Sequence, residues 1–157
     1  MIDQYKYHSV RAYSDAFASL ISSILPKLPQ DTIIIPVPTI QRHVRERGFD
    51  HTLLIAKQLA RIQRLSCEAI IGRAKNTIQV GAAKQLRINQ AKAAYKIITQ
   101  PTPETHYLII DDVWTTGSSI CSICNLLKKA GAHHLMVAVL ARSGTPDTTL
   151  LSHRQLH

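Results

Sequence analysis

The sequence predicts an α/β domain with a mostly parallel central sheet flanked by helices, and three observations carry that prediction. Short β-branched or apolar runs alternate with segments of helical period. Residues 32–35 read as a strand covered on both faces, and 107–110 and 135–140 have the unbroken apolar character of buried strands. The two stretches richest in polar chemistry each follow directly on a run. In open parallel sheets, ligands bind just beyond the carboxyl ends of strands.

In order along the chain, residues 11–25 place Phe17, Leu20, Ile21 and Ile24 on one helical face, and Pro26 stops the pattern. Residues 27–31 form a turn and 32–35 a short strand. That strand ends at Pro36-Val37-Pro38, where proline cannot donate to a ladder and fixes an extended loop. Arg42, Arg45, Arg47 and Gly48 precede a helix over residues 51–64, with Asp50 as its N-cap and Ile55, Ala56, Leu59 and Ile62 as its apolar stripe. Residues 67–71 read as a second strand. From 72 to 90 the sequence is polar, basic and without period, and a loop of that length is usually functional or disordered. Residues 95–99 read as a short strand and 101–105 as a linker.

The strand at 107–110 leads into a helix with apolar positions at Ile120, Ile123, Cys124 and Leu127, stopped by Gly131. Residues 135–140 read as the last strand. The domain is therefore expected to span residues 1–142, with 143–157 a mobile tail.

Composition narrows the function class. The chain has 157 residues, 45% hydrophobic and 18% charged, the size and balance of one globular domain. It has no apolar run as long as a membrane span, no signal-peptide layout and only three cysteines, so a cytoplasmic location is expected. The formal charge of +9 is uneven: residues 41–90 carry ten Lys/Arg against three acids, a net of +7. Such a field favours anionic partners, diphosphates or nucleic acid.

The most informative stretch is YLIIDDVWTTGSS, residues 107–119. A helix N-terminus offers unpaired N–H groups and the positive end of a dipole, which suits a phosphate. Thr115, Thr116, Ser118 and Ser119 add hydroxyl donors, and Gly117 lets the backbone approach closely. Asp111 and Asp112 cannot bind that phosphate; they must accept from hydroxyls or face a metal. A ligand with both a phosphate and a diol, a ribose 5-phosphate unit, meets both demands. Ordinary Ser/Thr capping beside two solvated aspartates is the alternative.

Elsewhere the chemistry is thin. Cys121 and Cys124 share a helix without a second ligand pair, so they are expected to be small buried residues rather than a zinc site. His133 and His134 point apart if they lie on a strand, and are read as surface or satisfied residues.

The same thirteen residues resemble the phosphoribosyl-diphosphate (PRPP) signature of type I phosphoribosyltransferases, with Trp114 larger than the usual aliphatic residue. The wider chain is similar to the ComF family of type I phosphoribosyltransferase-like proteins. Lys6-Tyr7 matches the start of that family's domain, and IIIPVPTIQRHVRERGFD matches its proline–valine–proline and arginine–glycine–phenylalanine blocks. Residues 73–95 resemble its basic loop, with Gln79 and Arg87 in register. Asp50-His51 replace a usual asparagine–glutamine pair, and Asn76, Ala82 and Gln90 also depart from the pattern. Family members commonly begin with a cysteine-rich zinc module; with Met1 almost at the domain start, that module is expected to be lacking here.

The resemblance implies a PRPP-binding enzyme that transfers phosphoribosyl to an unknown acceptor and releases pyrophosphate. It implies that Asp111 and Asp112 hold the ribose hydroxyls and that Val113, Thr115, Thr116, Gly117, Ser118 and Ser119 bind PRPP. Val37 and Pro38, with Arg45 and Arg47, would meet the pyrophosphate, and Arg73, Gln79 and Arg87 belong to a flexible basic loop. Mg²⁺ would be held mainly through PRPP oxygens; direct contact with Asp111 or Asp112 stays open. The alternative is a competence protein handling single-stranded DNA, with a DNA-uptake helicase as partner and the fold used for binding or PRPP sensing. The oligomeric state is left open, a dimer being one expectation.

Overall fold

The computed structural model describes residues 2–40, 44–45, 48–74 and 94–143. Strands β1 (Ile33–Pro36), β2 (Ser66–Cys67), β5 (His106–Trp114) and β6 (His134–Arg142) form one sheet in the order β2-β1-β5-β6. All three pairings are parallel, with Pro36 opposite Ile110 and Asp111 opposite Val139. Helices α1 (Ile2–Ile24) and α2 (His51–Gln63) pack on one face and α3 (Ser118–Lys129) on the other. The expected α/β architecture is thus observed.

The core follows the alternation of strand side chains. Ile34, Leu108 and Ile110 point toward α1 and α2 and bury with Ala18, Ile21, Ile55, Ala56 and Leu59. Ile35, Tyr107 and Ile109 point the other way and bury with Ile120, Ile123 and Leu127 of α3. Residues 107–110 are at most 2% exposed, which is why that run reads as continuously apolar.

Two ends match their sequence signals. Asp50 Oδ1 accepts from the Leu53 N–H at 3.1 Å, capping α2. Gly131, at φ +103, takes the left-handed conformation that stops α3.

Four expectations need correction. The run at 135–140 is not a buried strand: among the described residues β6 is an edge strand with no fully buried residue, and Met136 and Val137 are exposed. The run at 67–71 is not one strand: Ser66–Cys67 closes the main sheet, and Ile71–Arg73 (β3) pairs antiparallel with Tyr95–Ile97 (β4) in a separate two-stranded sheet. The chain leaves the main sheet after Glu68, whose N–H still donates to the Ile34 carbonyl. Helix α1 starts at Ile2, and its buried face is Ser14, Ala18 and Ile21, while Phe17, Leu20 and Ile24 are exposed. Two stripes of similar spacing overlap on this helix, and the small residues of the inner one let it lie close to the sheet and α2. Cys121 is exposed and only Cys124 is half-buried, where burial pushes its thiol pKa up.

Residues 75–93 and 144–157 lie outside the described residues, and with them most of the basic loop and nearly all of the expected tail. Among the described residues no helix is long and apolar enough to cross a membrane.

Leu108 is fully buried between β1, β6 and the two helices above them. Leu108→Ala is expected to cost about 2–5 kcal/mol of unfolding free energy, measured by urea denaturation.

Candidate functional site

The connections define where a ligand fits. From β1 the chain crosses through α2 to β2 on one side; from β5 it crosses through α3 to β6 on the other. The crossovers diverge between β1 and β5, so a crevice opens there at the carboxyl ends of the two strands. The loop after β1 and the loop after β5 both emerge at this point.

They are joined directly. The Val37 N–H donates to the Ile110 carbonyl at 2.9 Å, extending the β1–β5 ladder one rung past the strand and setting Val37 beside Asp111. Val37 is itself buried against the α3-side core, which fixes the start of the proline loop. Farther on, the Thr39 hydroxyl donates to Asp50 Oδ1 at 2.9 Å, so the N-cap of α2 also braces this loop. Arg73 Nη1 donates to the Pro38 carbonyl at 3.3 Å, and its guanidinium lies over the Tyr95 ring at 5.2 Å.

On the β5 side the strand runs on through both aspartates to Trp114. Each carboxylate accepts from the next residue's backbone: Asp112 N–H to Asp111 Oδ1 at 2.9 Å, and Val113 N–H to Asp112 Oδ1 at 2.8 Å. Burial and then the adjacent Asp112 charge raise the Asp111 pKa from 3.8 to about 6, against the lowering effect of the Asp112 N–H.

The loop then turns at Gly117, which has φ +72 and is the N-cap of α3. Gly117 offers no side-chain cap, and Thr116 Oγ1 accepts from the Ser118 N–H at 3.4 Å, so the N–H groups after Ser118 in the first turn face the loop. A Cβ on Gly117 would fall 2.3 Å from Trp114 Cζ2, so the indole closes one side of the turn. The Thr116 hydroxyl donates to Ser118 Oγ at 3.0 Å, shaping the turn from within.

Asp111, Val113, Trp114, Thr115, Gly117, Ser118, Ser119 and Ile120 line a small concavity of about 30 Å³. Asp112 lies outside that lining.

The predicted site residues thus fall into three groups. Asp111, Asp112, Val113, Thr115, Thr116, Gly117, Ser118 and Ser119, with Val37 and Pro38, lie at one crevice end of the sheet, and Arg73 joins them through Pro38. Arg45 is described and exposed, and makes no hydrogen bond or ion pair to that group among the described residues. Arg47, Gln79 and Arg87 lie outside the described residues.

Sequence reading missed Thr39, and took Arg73 for part of a loop when it ends β3. Trp114 carried a signal in its unusual size; its contact with Gly117 explains it.

A larger cavity, about 390 Å³, opens at the amino ends of the strands beside Leu28, Thr32, His106, His134 and Met136. His106 stacks on His134 there and pairs with Asp31 at 3.0 Å. The Thr32 hydroxyl is unpartnered but sealed from the cavity's solvent, so it offers nothing to a ligand. The carboxyl-end crevice is the better candidate. His133 and His134 are exposed, as expected, and no cluster of three or more metal-ligating side chains occurs among the described residues.

Comparison with solved structures identifies the architecture. A glutamine PRPP amidotransferase from B. subtilis, complexed with ADP and GMP, superposes at TM-score 0.58 and 14% identity, covering 84% of this chain and 26% of that one. A structure described as the allosteric regulatory enzyme of purine biosynthesis gives the same TM-score of 0.58, covering 84% and 25%. The fold is that of the type I phosphoribosyltransferases.

Sequence relatives are narrower. Competence protein F of Haemophilus influenzae is 33% identical over 121 residues, covering 74% of this chain and 52% of the relative. DNA utilization protein YhgH of Escherichia coli O6:H1 is 34% identical over 112 residues, covering 70% and 49%. Over 70–74% of its length the chain is similar in sequence to these proteins. The chain spans about half the length of the curated relatives it matches. No family model matches the sequence.

Two predictions test this geometry. Gly117→Ala forces a side chain into a left-handed position already filled by Trp114, and is expected to cost about 1–3 kcal/mol in chemical denaturation. Asp111 carries a raised folded-state pKa, so its ionised form opposes folding above about pH 6 and the penalty vanishes as pH falls toward its unfolded value. Asp111→Asn should therefore raise the melting temperature at pH 8 and leave it nearly unchanged at pH 4, as followed by calorimetry.

Proposed function

We propose that the crevice binds PRPP with Mg²⁺ and that the protein acts as a phosphoribosyltransferase, passing the phosphoribosyl group to an acceptor and releasing pyrophosphate. The observation that carries this reading is the Val37–Ile110 bond, which holds the proline loop beside Asp111 and the hydroxyl loop. One crevice then offers a phosphate site, acceptors for a diol and a second anion site, in an order that matches 5-phosphate, ribose and pyrophosphate.

Each group has a task suited to its chemistry. Thr115, Thr116, Ser118 and Ser119, with the N-terminus of α3, donate to the 5-phosphate. Asp111, and Asp112 beside it, accept from the ribose hydroxyls. The raised Asp111 pKa fits the same role, because a half-buried carboxylate next to another is relieved by donors or by a cation.

That donor set suits Mg²⁺, which prefers oxygen ligands and retains waters; when bound it would neutralise charge on the leaving pyrophosphate. Backbone N–H groups of the proline loop and Arg45 and Arg47 would meet the pyrophosphate. Arg73, bonded to Pro38, ties the base of the basic loop to this subsite, so loop closure there would exclude water from a cationic, oxocarbenium-like transition state.

A second reading is favoured by the relatives' names: a competence or DNA-utilization protein that handles single-stranded DNA, using the fold for binding or sensing. The +7 segment supplies phosphate contacts, but aromatic residues make up only 5% of the chain, so stacking platforms are few. Either reading suits a cytoplasmic protein.

Calorimetric titration with PRPP and Mg²⁺ is expected to show binding that Asp111→Asn with Asp112→Asn weakens at least about 100-fold. Unchanged affinity in the double variant would reject the site. Oligonucleotide binding across a salt series separates the second reading, which requires affinity that falls steeply with salt.

A further inference from the structure

One lateral side of the molecule is apolar, unpaired among the described residues, and built in two layers. In the sheet layer β6 is the outermost strand, pairing with β5 and with no described strand beyond it. It is nine residues long and contains no Pro or Lys, devices by which exposed edges are normally blocked. Met136 and Val137 are 38% and 37% exposed on it.

In the helix layer, α1 carries a second stripe beside the one it buries. Tyr13, Phe17, Leu20 and Ile24 are 64%, 41%, 55% and 71% exposed. At about 100° per residue this stripe lies roughly 100° around the helix from Ser14, Ala18 and Ile21. Ser22, which accepts a hydrogen bond from Gln63 of α2, lies on the other flank. The stripe therefore faces away from α2. Because Ala138 and Leu140 of β6 pack against the cluster containing Ala18 and Ile21, it faces the β6 edge.

The spacing of 4, 3 and 4 residues is that of a coiled-coil seam, made to meet another helix. Its neighbours Ala16, Ser19 and Ser23 are small, and Asp15 is the lone charge in residues 12–26 of a chain with net charge +9. Close approach of a like surface meets neither bulk nor repulsion.

We propose that this side is the interface at which two copies of the chain associate about a two-fold axis normal to the sheet. One rotation brings β6 antiparallel to its copy, joining the two sheets edge to edge, and sets α1 beside its copy in the same layer. A self-complementary face of this kind is what a two-fold interface requires. The α1 stripe contributes apolar surface on the order of 500 Å². With the β6 edge this approaches the roughly 800 Å² per partner of a stable interface. The crevice between β1 and β5 stays open.

The test is sedimentation equilibrium on the full chain. The wild type is expected at twice its 17.5 kDa mass in the micromolar range. Leu20→Glu on the helix and Val137→Lys on the strand should each weaken dimerisation by about 100-fold or more. Both positions are exposed, and far-UV circular dichroism confirms that each variant folds. A wild type that is monomeric at about 100 µM overturns the proposal. So does a dimer that survives either substitution.

Discussion

The hydrogen bond from the Val37 N–H to the Ile110 carbonyl fixes the relation between the two halves of the candidate site. It is the last rung of a parallel ladder in which Ile33 to Pro36 sit opposite Tyr107 to Ile110, so its position is set by the register of the whole core. A slip of one residue would turn every side chain of β1 to the wrong face, placing Ile34 toward α3 and Ile35 toward α2. Packing on both faces excludes that slip. The spacing of the proline loop from Asp111 is therefore decided by apolar residues that touch no ligand.

The acidic pair shows the cost of the arrangement. β5 continues through Asp111 and Asp112, so two adjacent carboxylates stand at a strand end, one of them half-buried with its pKa raised to about 6. In the free protein this opposes folding at neutral pH; the ligand proposed for this site would relieve it through its donors. Under that proposal, stability and binding would pull against each other at Asp111, as at many sites where like charges are held together.

How much was legible in the sequence depended on whether a local signal determined the outcome. The strand at 107–110 and the helix after it were readable, because burial on both faces leaves an unbroken apolar run and Gly131 marks a stop. Asp50 was readable as an N-cap for the same local reason. The candidate loops could be placed at one crevice because both follow strands. The face of α1 was not readable, since two apolar stripes overlap and only tertiary packing selects Ser14, Ala18 and Ile21. The split between β2 and β3 was hidden too: nothing in residues 66–73 says that the chain changes sheets. Arg73 reaches Pro38 across 35 positions, a contact no local pattern encodes.

The central claim is that a ribose 5-phosphate unit sits across residues 111–119 with its phosphate on the N-terminus of α3. Amide NMR spectra recorded while ribose 5-phosphate is added test it most directly. The amides of Thr115, Thr116, Gly117, Ser118 and Ser119 should shift in a saturable way, together with Asp111 and Asp112, while those of α1 stay in place. Saturable shifts confined to another surface, or none in residues 111–119, would contradict it.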